Sequence, residues 1–486
     1  MVWSPTDEQK RFIRQYGKAL AHRDAALFIG AGVSRAAGYV DWKSLLRGIA
    51  RDLGLDVDRE TDLVALTQFH VNQRGTRATI NQELMDELTK GVTATPIHQI
   101  VARLPVDTIW TTNYDELLER SFEAAGKWVD VKRTIANLAQ VRRGKDLTLY
   151  KMHGCVSQPE DAVLTKDDYE GYERKRSLYS DSLKGDLIER TFLFLGFSFT
   201  DPNIEQILAR VRTLLGANQR EHFCVMRRSP RPAGLKGKQK ADFEYEQRKA
   251  DHQSTDLRRF GIQTLWIEEY EHLEPLLRAL AAYVDRSSVF VAGSAEDHAP
   301  LGQVRLESLA RRVGARLVDE GFRLVSGFGQ GIGEHVVLGA LRALYHQSVG
   351  RDEDRVLIRP FPRASDPNLQ SAANRRHRED LISRVGTVIV LAGNRSDGSG
   401  GISLSQGVRE EVDIAHRLGK HVIPLGVTGH VAAELWQQAI ANPPSFLPGL
   451  DVGKPLGVLG DNSASEDAIV DATFAILKAV QVGATP

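Results

Sequence analysis

The chain alternates short apolar runs with longer amphipathic stretches, and this alternation limits its fold more than any other feature of the sequence. Short apolar runs bounded by glycine or polar residues are typical of buried strands, and amphipathic stretches with helical spacing are typical of helices that cover a sheet. Strands that alternate with helices form parallel sheets, because a parallel connection has to cross one face of the sheet. The sequence therefore predicts an α/β fold with mainly parallel sheets.

The apolar runs fall into two series. The first predicts strands at Ala25–Gly30, Asp107–Thr111, Leu147–Met152, Thr191–Gly196, His222–Met226 and Ile262–Ile267. The second predicts strands at Ser288–Val291, Arg323–Val325, Arg355–Ile358, Thr387–Leu391 and His421–Pro424. Between the two series, the amphipathic segment His272–Val284 predicts a helix that closes the first domain. We therefore predict two Rossmann-like domains, residues 1–284 and 285–486.

Composition narrows the class of protein. The chain is 42% hydrophobic and 26% charged, which is ordinary for a soluble globular protein. No run approaches the roughly 18 consecutive apolar residues of a membrane span, and the first residues lack the apolar core of a signal peptide. We therefore expect a cytoplasmic protein with no membrane partner, in which Cys155 and Cys224 are reduced thiols.

The charge balance argues against a nucleic-acid partner. The 63 Lys and Arg residues equal the 63 Asp and Glu residues, so the chain has no overall positive field. One densely charged stretch runs from Arg227 to Arg259. We interpret it as a surface loop followed by a solvated helix, with a nucleic-acid-binding arm as the alternative.

A glycine loop follows the first predicted strand. Gly30 and Gly32 frame Ala31, and Ser34 follows two residues later. Glycine allows a tight turn and a close approach of the backbone to a phosphate, whose charge the amides of a following helix can accept. The alternative is an ordinary turn, since the loop does not satisfy the full dinucleotide fingerprint.

Polar residues also follow the second and third predicted strands. Thr111–Asp115 contains Asn113 and Asp115, either of which could instead cap the next helix. His153, in Lys151–Gly154, is either a hydrogen-bonded structural residue or a proton-transfer group that acts near neutral pH.

The fourth strand of the first series ends at Gly196, and Ser198 follows. Both residues could contact a ribose or a phosphate, and Asp201 with Pro202 is typical of a helix start. A simple strand-to-helix turn is the alternative. Ligands of open α/β sheets bind beyond the carboxyl ends of the strands, so these four ends together predict one site.

In this order and spacing, the four motifs resemble those of the sirtuin family over roughly residues 15–284. Sirtuins bind NAD and cleave the bond between its nicotinamide and ribose. The resemblance implies that the pyrophosphate and the nearby ribose are held by Gly30, Ala31, Gly32 and Ser34.

The same resemblance implies roles for the residues at the other strand ends. Asn113 orients the nicotinamide ribose or the attacking water, and Asp115 contacts the nicotinamide amide. His153 is the general base. Gly196 and Ser198 line the adenosine side.

Two departures from the sirtuin pattern bear on the acceptor. Sirtuin deacylases carry a zinc module with four cysteines, and two cysteines cannot build one, so we expect no resident metal. The Pro-Asp-Phe-Arg segment of sirtuins is replaced here by Val40-Asp41-Trp42-Lys43, which lacks the arginine. We therefore expect transfer of ADP-ribose to water, which is NAD hydrolysis.

The second domain carries its own glycine loops and arginines. Gly293-Ser294 follows one strand, and Gly327–Gly333 has four glycines in seven residues, which could surround a phosphate with amides. Arg359, in Arg359–Pro362, and the stretch Arg375–Asp380 add guanidinium groups that suit phosphates. The alternatives are a flexible loop without a ligand and a solvated helical face.

This half resembles the SLOG superfamily, Rossmann relatives that bind nucleotide-derived ligands. The motif of the nucleotide-hydrolysing relatives does not occur here, so we expect a sensor domain. Its expected ligand-binding residues are Gly293, Ser294, Gly327, Gly329, Gly331, Arg359, Arg378, Arg395 and Glu411.

The joined architecture resembles the NAD-hydrolysing effectors of the Thoeris antiphage systems. The resemblance implies that NAD is the substrate, with no permanent cofactor. It also implies an activating cyclic ADP-ribose isomer made by a companion TIR-domain protein, and a homo-oligomer, a tetramer or larger. An NAD-dependent protein deacylase and a non-catalytic nucleotide-binding scaffold remain the alternatives.

Overall fold

The structure is a computed structural model that describes residues 3–40, 42–232, 234–346, 355–361 and 367–483. Asp41 and Pro362, which belong to two of the motifs above, lie outside these residues. The chain divides into two compact units, Met1–Ala281 and Ala282–Pro486. Each unit contains a parallel sheet flanked by helices, which confirms the predicted fold class.

The first unit contains seven strands in the part of the chain that the structure describes. They are β1 (Ala25–Ile29), β2 (Thr108–Thr111), β3 (Val129–Lys132), β4 (Leu147–Lys151), β5 (Thr191–Leu195), β6 (His222–Arg227) and β7 (Ile262–Ile267). All pairings are parallel, in the order β3-β4-β2-β1-β5-β6-β7. The order reverses direction between β1 and β5, and such a reversal opens a crevice for ligands at the carboxyl ends of the strands.

Helices flank the sheet of the first unit. They are α1 (Asp7–Ala21), α2 (Ala31–Ala36), α3 (Trp42–Leu45), α4 (Arg47–Asp52), α5 (Leu63–Arg74), α6 (Ala78–Leu88), α7 (Pro96–Arg103), α8 (Leu117–Ala124), α9 (Ile135–Leu138), α10 (Lys166–Glu170), α11 (Tyr172–Glu189), α12 (Pro202–Leu215) and α13 (Gly237–Arg258). α14 (Leu273–Arg286) runs from the first unit into the second. Thr6 and Gln9 form a capping box at the start of α1, and Phe12 on its buried face packs edge-on against Phe223, 5.1 Å between ring centroids.

Strand β3 was not predicted from the sequence. Its residues alternate apolar with charged, and Asp130 and Lys132 are both buried in an ion pair of 2.9 Å. Lys145 adds a second contact to Asp130 at 3.1 Å. Buried strands are recognised in a sequence by their apolar residues. The paired charges of this edge strand interrupt that pattern, so the strand is not recognised.

The charged stretch after β6 contains the long helix α13. Ser254 and Leu257 are its buried residues, and the rest of the helix is largely exposed. The interpretation as a solvated helix is therefore confirmed for Gly237–Arg258. Among the described residues, no helix is both long enough and apolar enough to span a bilayer.

The second unit has a five-stranded parallel sheet and a small hairpin. The strands are β8 (Ser288–Ser294), β9 (Arg323–Ser326), β10 (Val356–Ile358), β11 (Thr387–Ala392), β12 (Asn394–Ser396), β13 (Ile402–Leu404) and β14 (His421–Pro424). The sheet order is β10-β9-β8-β11-β14, and β12 pairs with β13 in antiparallel fashion. The hairpin, whose two strands are joined by the Gly/Ser-rich residues 397–401, was not predicted from the sequence.

Eight helices of the second unit cover both faces of this sheet in the described residues. They are α15 (Gln303–Asp319), α16 (Gly333–His346), α17 (Pro367–Ser383), α18 (Gln406–Arg417), α19 (His430–Ala441), α20 (Pro443–Phe446), α21 (Gly453–Val458) and α22 (Glu466–Gly483). The order 3-2-1-4-5 places the reversal between β8 and β11. All eleven predicted strands are present, within a residue of their predicted ends except β8, which continues to Ser294.

Candidate functional site

The four sequence motifs of the first unit lie at neighbouring strand ends. β4, β2, β1 and β5 are adjacent in the sheet and all run in the same direction. His153 follows β4, Asn113 follows β2, Gly30 follows β1 and Gly196 follows β5. The topology therefore brings together residues that are far apart in the sequence.

Glycines pack backbone against backbone where the sheet reverses direction, between β1 and β5. A Cβ atom on Gly30 would overlap the carbonyl oxygen of Gly196 and would lie 2.7 Å from the Cα of Phe197. A Cβ on Gly32 would lie 2.9 Å from the Cα of Gly196. Gly196 has a φ of +63°, and its own Cβ would lie 2.7 Å from the amide nitrogen of Val33. These glycines are needed to close the loop, whatever the loop binds.

Part of the hydrogen-bonding capacity of the loop is used within the protein. Gly30 N–H donates to Leu195 O at 2.8 Å, and Gly32 N–H donates to Gly196 O at 2.9 Å. Ala31 and Gly32 are exposed at the first turn of α2. A phosphate on this loop would therefore contact an exposed turn whose geometry is fixed by β5.

Replacing Gly30 with alanine is expected to lower the free energy of unfolding by about 3 kcal/mol, at the upper end of the usual cost of overpacking. The φ of Gly30 is −104°, which alanine adopts easily, so the cost comes from the clash with the backbone after β5. Urea unfolding of the two proteins measures the difference.

The matched control for this substitution is Gly185→Ala. Gly185 is exposed inside α11, and a Cβ there meets nothing within 4 Å. This variant should gain up to about 1 kcal/mol, because alanine is the better helix former. Equal stability of Gly30→Ala and the wild type would disprove the packing argument.

Three buried side chains form a hydrogen-bonded network at the ends of β1 and β2. Asn113 Nδ2 donates to Ser34 Oγ at 2.8 Å and to Gly30 O at 3.1 Å. Ser34 Oγ donates to Asp115 Oδ2 at 2.6 Å. The network ties the glycine loop to the Asn113 segment and fixes the orientation of the asparagine amide.

The carboxylate of Asp115 and the amide oxygen of Asn113 differ in the hydrogen bonds that they accept. Asp115 Oδ1 accepts from Leu117 N–H at 3.0 Å, so Asp115 also caps the first turn of α8. Asn113 Oδ1 is buried and has no hydrogen-bond partner among the described residues. An unsatisfied buried carbonyl is costly, and a ligand or a water molecule that donates to it removes this cost. The capping alternative therefore applies to Asp115, and Asn113 keeps a free acceptor.

His153 lies at the end of β4 and is 2% exposed. Burial lowers the pKa of its imidazole, and the Asp201 carboxylate acts in the opposite direction. Its Nε2 lies 3.2 Å from Asp201 Oδ2. A lowered pKa keeps the imidazole neutral at neutral pH, as a general base requires.

Ser198 is placed apart from these residues. It is exposed, and its Oγ is 2.8 Å from Thr200 Oγ1. With Phe199 it lines a cleft of about 570 Å³ between α12 and α13, which has Met226 on its wall. The structure thus places Ser198 on the β5 side of the reversal and Asn113 on the β2 side.

In the segment that departs from the sirtuin pattern, the described residues Val40, Trp42 and Lys43 take no part in this network. Trp42 packs against Tyr114, with ring centroids 6.2 Å apart. Lys43 lies near the surface, and its Nζ donates to Asp58 O at 3.2 Å.

Within the described ranges, one cluster has the composition of a metal site. It consists of Glu116, Glu119 and Cys155, whose ligand atoms lie within 4.8 Å of one another. Two cations already occupy its surroundings: Lys151 Nζ lies 3.0 Å from Glu119, and Arg133 lies 3.4 Å from Glu116. These charges neutralise the acids, so the cluster is better described as a buried ion-pair network.

In the second unit, the reversal between β8 and β11 has the same glycine-dependent packing. A Cβ on Gly293 would lie 2.6 Å from Leu391 O. A Cβ on Gly329 would overlap the backbone of Gly293 in β8, and a Cβ on Gly331 would overlap the backbone of Ala295 just after it. Ser294 Oγ, at the end of β8, is buried and has no partner among the described residues. The crevice thus offers one free hydroxyl group beside two glycine loops.

Arg378 lies in a pocket of carboxylates and one aromatic ring. Its Nη1 donates to Glu410 Oε2 at 2.6 Å, and its Nε lies 3.6 Å from Glu411 Oε1. Its guanidinium is 4.9 Å from the ring centroid of Phe361, which also packs against Gly327. Burial raises the pKa of Glu411 to about 7, and Arg378 opposes this shift. Gly327, Arg378 and Glu411 are therefore neighbours.

The other two predicted arginines lie elsewhere. Arg359 Nη1 donates to Asp380 Oδ2 at 2.6 Å, and Arg395 is exposed on β12. No pattern in the sequence selects Asn394, which is fully buried. Its Oδ1 accepts from the amides of Glu296 and Asp297 at 2.9 and 2.8 Å, so it holds the loop that follows β8.

Comparisons with known proteins agree with both halves of the fold. Residues 107–252 match a SIR2-like domain, and residues 272–480 match the Sir2- and TIR-associating SLOG family. The chain is 39% identical to NAD(+) hydrolase ThsA of Bacillus cereus (strain MSX-D12), over 95% of this chain and 96% of the relative. It is 38% identical to NAD(+) hydrolase ThsA of Acinetobacter baumannii (strain 532279), over 91% and 92%. Defense-associated sirtuin 2 of Bacillus subtilis is 28% identical over 45% of this chain and 22% of its own length.

Fold and site together define a protein in which a SIR2-like domain is followed by a SLOG domain. The identities extend over both domains and nearly the full length of the relatives. The chain belongs to the family of the NAD(+) hydrolase ThsA.

Proposed function

We propose that this chain is an NAD+ hydrolase of bacterial antiphage defence, which cleaves NAD+ to nicotinamide and ADP-ribose. The observation that carries the proposal is the Asn113 amide. It is buried and held by Ser34 and Gly30 at the end of β2, and its Oδ1 has no partner among the residues that the structure describes. The relatives named NAD(+) hydrolase, which match nearly the whole chain, support the same activity.

The topology gives the substrate an orientation. A dinucleotide lies across the point where the strand order reverses, so its pyrophosphate would sit at the Gly30 and Gly196 loops between β1 and β5. The nicotinamide ribose would then lie on the β2 and β4 side, beside Asn113, Asp115 and His153. The adenosine would lie on the β5 side, near Ser198.

In this orientation, the reaction needs a proton acceptor and a fixed nucleophile. The oxygen of water bonds to the ribose carbon, the bond to nicotinamide breaks, and nicotinamide leaves as a neutral molecule. The water gives up one proton, which the neutral imidazole of His153 accepts. Asn113 Oδ1 orients the water or a ribose hydroxyl, since it is an acceptor without a partner.

The SLOG domain would regulate this reaction by binding a cyclic ADP-ribose isomer from a companion TIR-domain protein. A match to a family described as Sir2- and TIR-associating supports the pairing. A pyrophosphate suits the guanidinium of Arg378 and the glycine loop at Gly327. The activator shifts the equilibrium between inactive and active arrangements only if it binds the active arrangement more tightly than the inactive one. We expect the active arrangement to be a homo-oligomer.

The test is NAD+ turnover by the purified full-length chain, with nicotinamide release measured across a panel of cyclic ADP-ribose isomers. We expect hydrolysis that rises at least tenfold with one isomer. NAD+ that stays intact with every isomer would disprove the proposal, and NAD+ binding without turnover would then favour a scaffold. NAD+-dependent removal of acetyl groups from lysine peptides would favour a deacylase.

A further inference from the structure

Asp201 and His153 come from different elements and meet beneath the site. His153 follows β4, and Asp201 precedes α12, the helix after β5. Asp201 Oδ2 lies 3.2 Å from His153 Nε2, and the two side chains are 10% and 3% exposed. His153 Nε2 forms no hydrogen bond with the described residues, and such contacts are often loose until substrate binds.

The carboxylate of Asp201 is fixed by its second role. Its Oδ1 caps α12, accepting from the amides of Asn203 at 2.9 Å and Ile204 at 3.2 Å. The positive end of a helix dipole stabilises an anion at this position. The cap therefore fixes the position of the Asp201 carboxylate, whose Oδ2 lies beside the imidazole.

Two tyrosines and an arginine also surround the His153 imidazole. Tyr169 and Tyr172 contact the ring edge-on, with centroids 5.5 and 6.0 Å away. Arg176 contributes a positive charge that lowers the pKa of His153, and its Nη1 is bound to Met152 O at 3.3 Å. Asp201 is thus the acid that faces His153.

We propose that Asp201 is a positioning residue that holds the His153 proton on Nε2 and so makes Nδ1 the nitrogen that accepts a proton from water. The imidazolium formed in this step is stabilised by the Asp201 carboxylate, which keeps its own charge. This inference rests on the proposed function, because it assigns the base of the same reaction.

The test is Asp201→Asn in the full-length chain, assayed with the activating isomer. Asparagine caps a helix as well as aspartate does, so the fold is retained. Its amide NH₂ would face Nε2 and favour the tautomer with the proton on Nδ1, which cannot accept another. We expect kcat to fall by about 10²- to 10⁴-fold, the usual contribution of general base catalysis, with KM nearly unchanged.

The pH profile separates this role from a structural one. Asp201 raises the pKa of His153, whereas burial and Arg176 lower it. Without the carboxylate, the His153 pKa falls, so the acidic limb of the residual kcat should move to lower pH. The tyrosines at 114, 169 and 172 stay neutral throughout, because burial raises their pKa values. An unchanged kcat and an unmoved acidic limb would overturn the proposal.

Two more variants complete the test. Asp201→Ser keeps a capping oxygen but is too short to reach the imidazole, so it should lose kcat as Asp201→Asn does. Asp62→Asn changes an exposed aspartate that caps α5 through Ala65 N–H at 3.0 Å, and it should leave kcat unchanged. Activity that survives in Asp201→Ser would show that Asp201 only caps the helix.

The tautomer of His153 can be measured without turnover, so this measurement tests the role of Asp201 independently of the proposed function. The ¹⁵N shifts of the His153 ring report the tautomer directly and need no substrate. A proton on Nε2 in the wild type that moves to Nδ1 in Asp201→Asn supports the positioning role even if no isomer elicits hydrolysis. The same tautomer in both proteins would disprove it.

Discussion

Replacing Asn113 with alanine is expected to reduce NAD+ hydrolysis by about two to three orders of magnitude, the usual cost of losing one preorganised polar group. The amide is held in place by Ser34 Oγ and Gly30 O, so its free Oδ1 has a fixed direction before any substrate binds. Alanine removes that acceptor and leaves the attacking water or the ribose unoriented. Because the group acts on the reacting centre, kcat should fall more than KM rises.

The control separates loss of chemistry from loss of structure. Asn218→Ala makes the same change at an exposed position after α12 and should leave turnover unchanged. Thermal unfolding and NAD+ binding by Asn113→Ala should remain close to the wild type, since its neighbours Ser34 and Asp115 keep their own hydrogen bond. A variant that retains a tenth or more of the wild-type kcat would remove Asn113 from the catalytic step.

The sequence predicted which strand ends carry the candidate site of the first domain, but not how their residues interact. Four polar motifs at the carboxyl ends of parallel strands lie at one edge of the sheet, whereas the strand order that makes them neighbours is seen only in the structure. Side-chain partners depend on atomic distances that spacing does not encode. Asp115 shows this limit, since one of its oxygens accepts from Leu117 N–H at the start of α8 and the other accepts from Ser34, and the spacing predicts neither partner.

The packing contacts of Gly30 and Gly32 were also not predictable from the sequence. From the sequence, Gly30 and Gly32 were expected to leave room for a phosphate. In the structure, the space beside them is filled by the backbone around Gly196, so their first contribution is to the packing of β1 against β5. A phosphate loop and a packing loop have the same glycine spacing, because both need a backbone without a Cβ.

Charged residues were the hardest to interpret from spacing alone. Asp130 and Lys132 concealed strand β3, and Asp201 was recognised only as a helix start. Asp130 pairs with Lys132 on the same strand, and Asp201 lies beside His153, which is distant in the sequence. Such a partner offsets the desolvation cost of a charged side chain. Single-sequence patterns treat a charge as a mark of exposure, whereas Asp130 and Lys132 are buried because they are paired.

Replacing Arg378 with alanine is expected to abolish activation by the cyclic ADP-ribose isomer and to leave basal turnover unchanged. The guanidinium is the cation that lies beside the Gly327 loop and Phe361, and it presents two donors to a pyrophosphate. Two carboxylates, Glu410 and Glu411, hold it in the absence of ligand. An activating anion must compete with them, and losing Arg378 removes the cation that would bind that anion.

Arg378→Ala should still fold at neutral pH, because the buried carboxyl of Glu411 can become neutral. Burial raises the pKa of Glu411 to about 7, and Arg378 keeps it from rising further. Without Arg378 the pKa rises, and the buried carboxyl is neutral rather than an unpaired charge. A raised folded-state pKa makes the free energy of unfolding fall as pH increases up to that pKa. In Arg378→Ala this fall should therefore extend to a higher pH than in the wild type.

Isomer titration of nicotinamide release, with thermal unfolding from pH 6 to 9, checks both expectations about Arg378. Arg376→Ala is the matched control, since Arg376 is exposed on the same helix and should respond to the isomer normally. Arg378→Lys retains the charge but loses the planar fork, so its half-activating concentration should rise by about tenfold or more. A normal response of Arg378→Ala would place the sensor site elsewhere. If instead the basal rate rose in that variant, the carboxylate-bound arginine would itself hold the enzyme inactive, and the activator would work by breaking that contact.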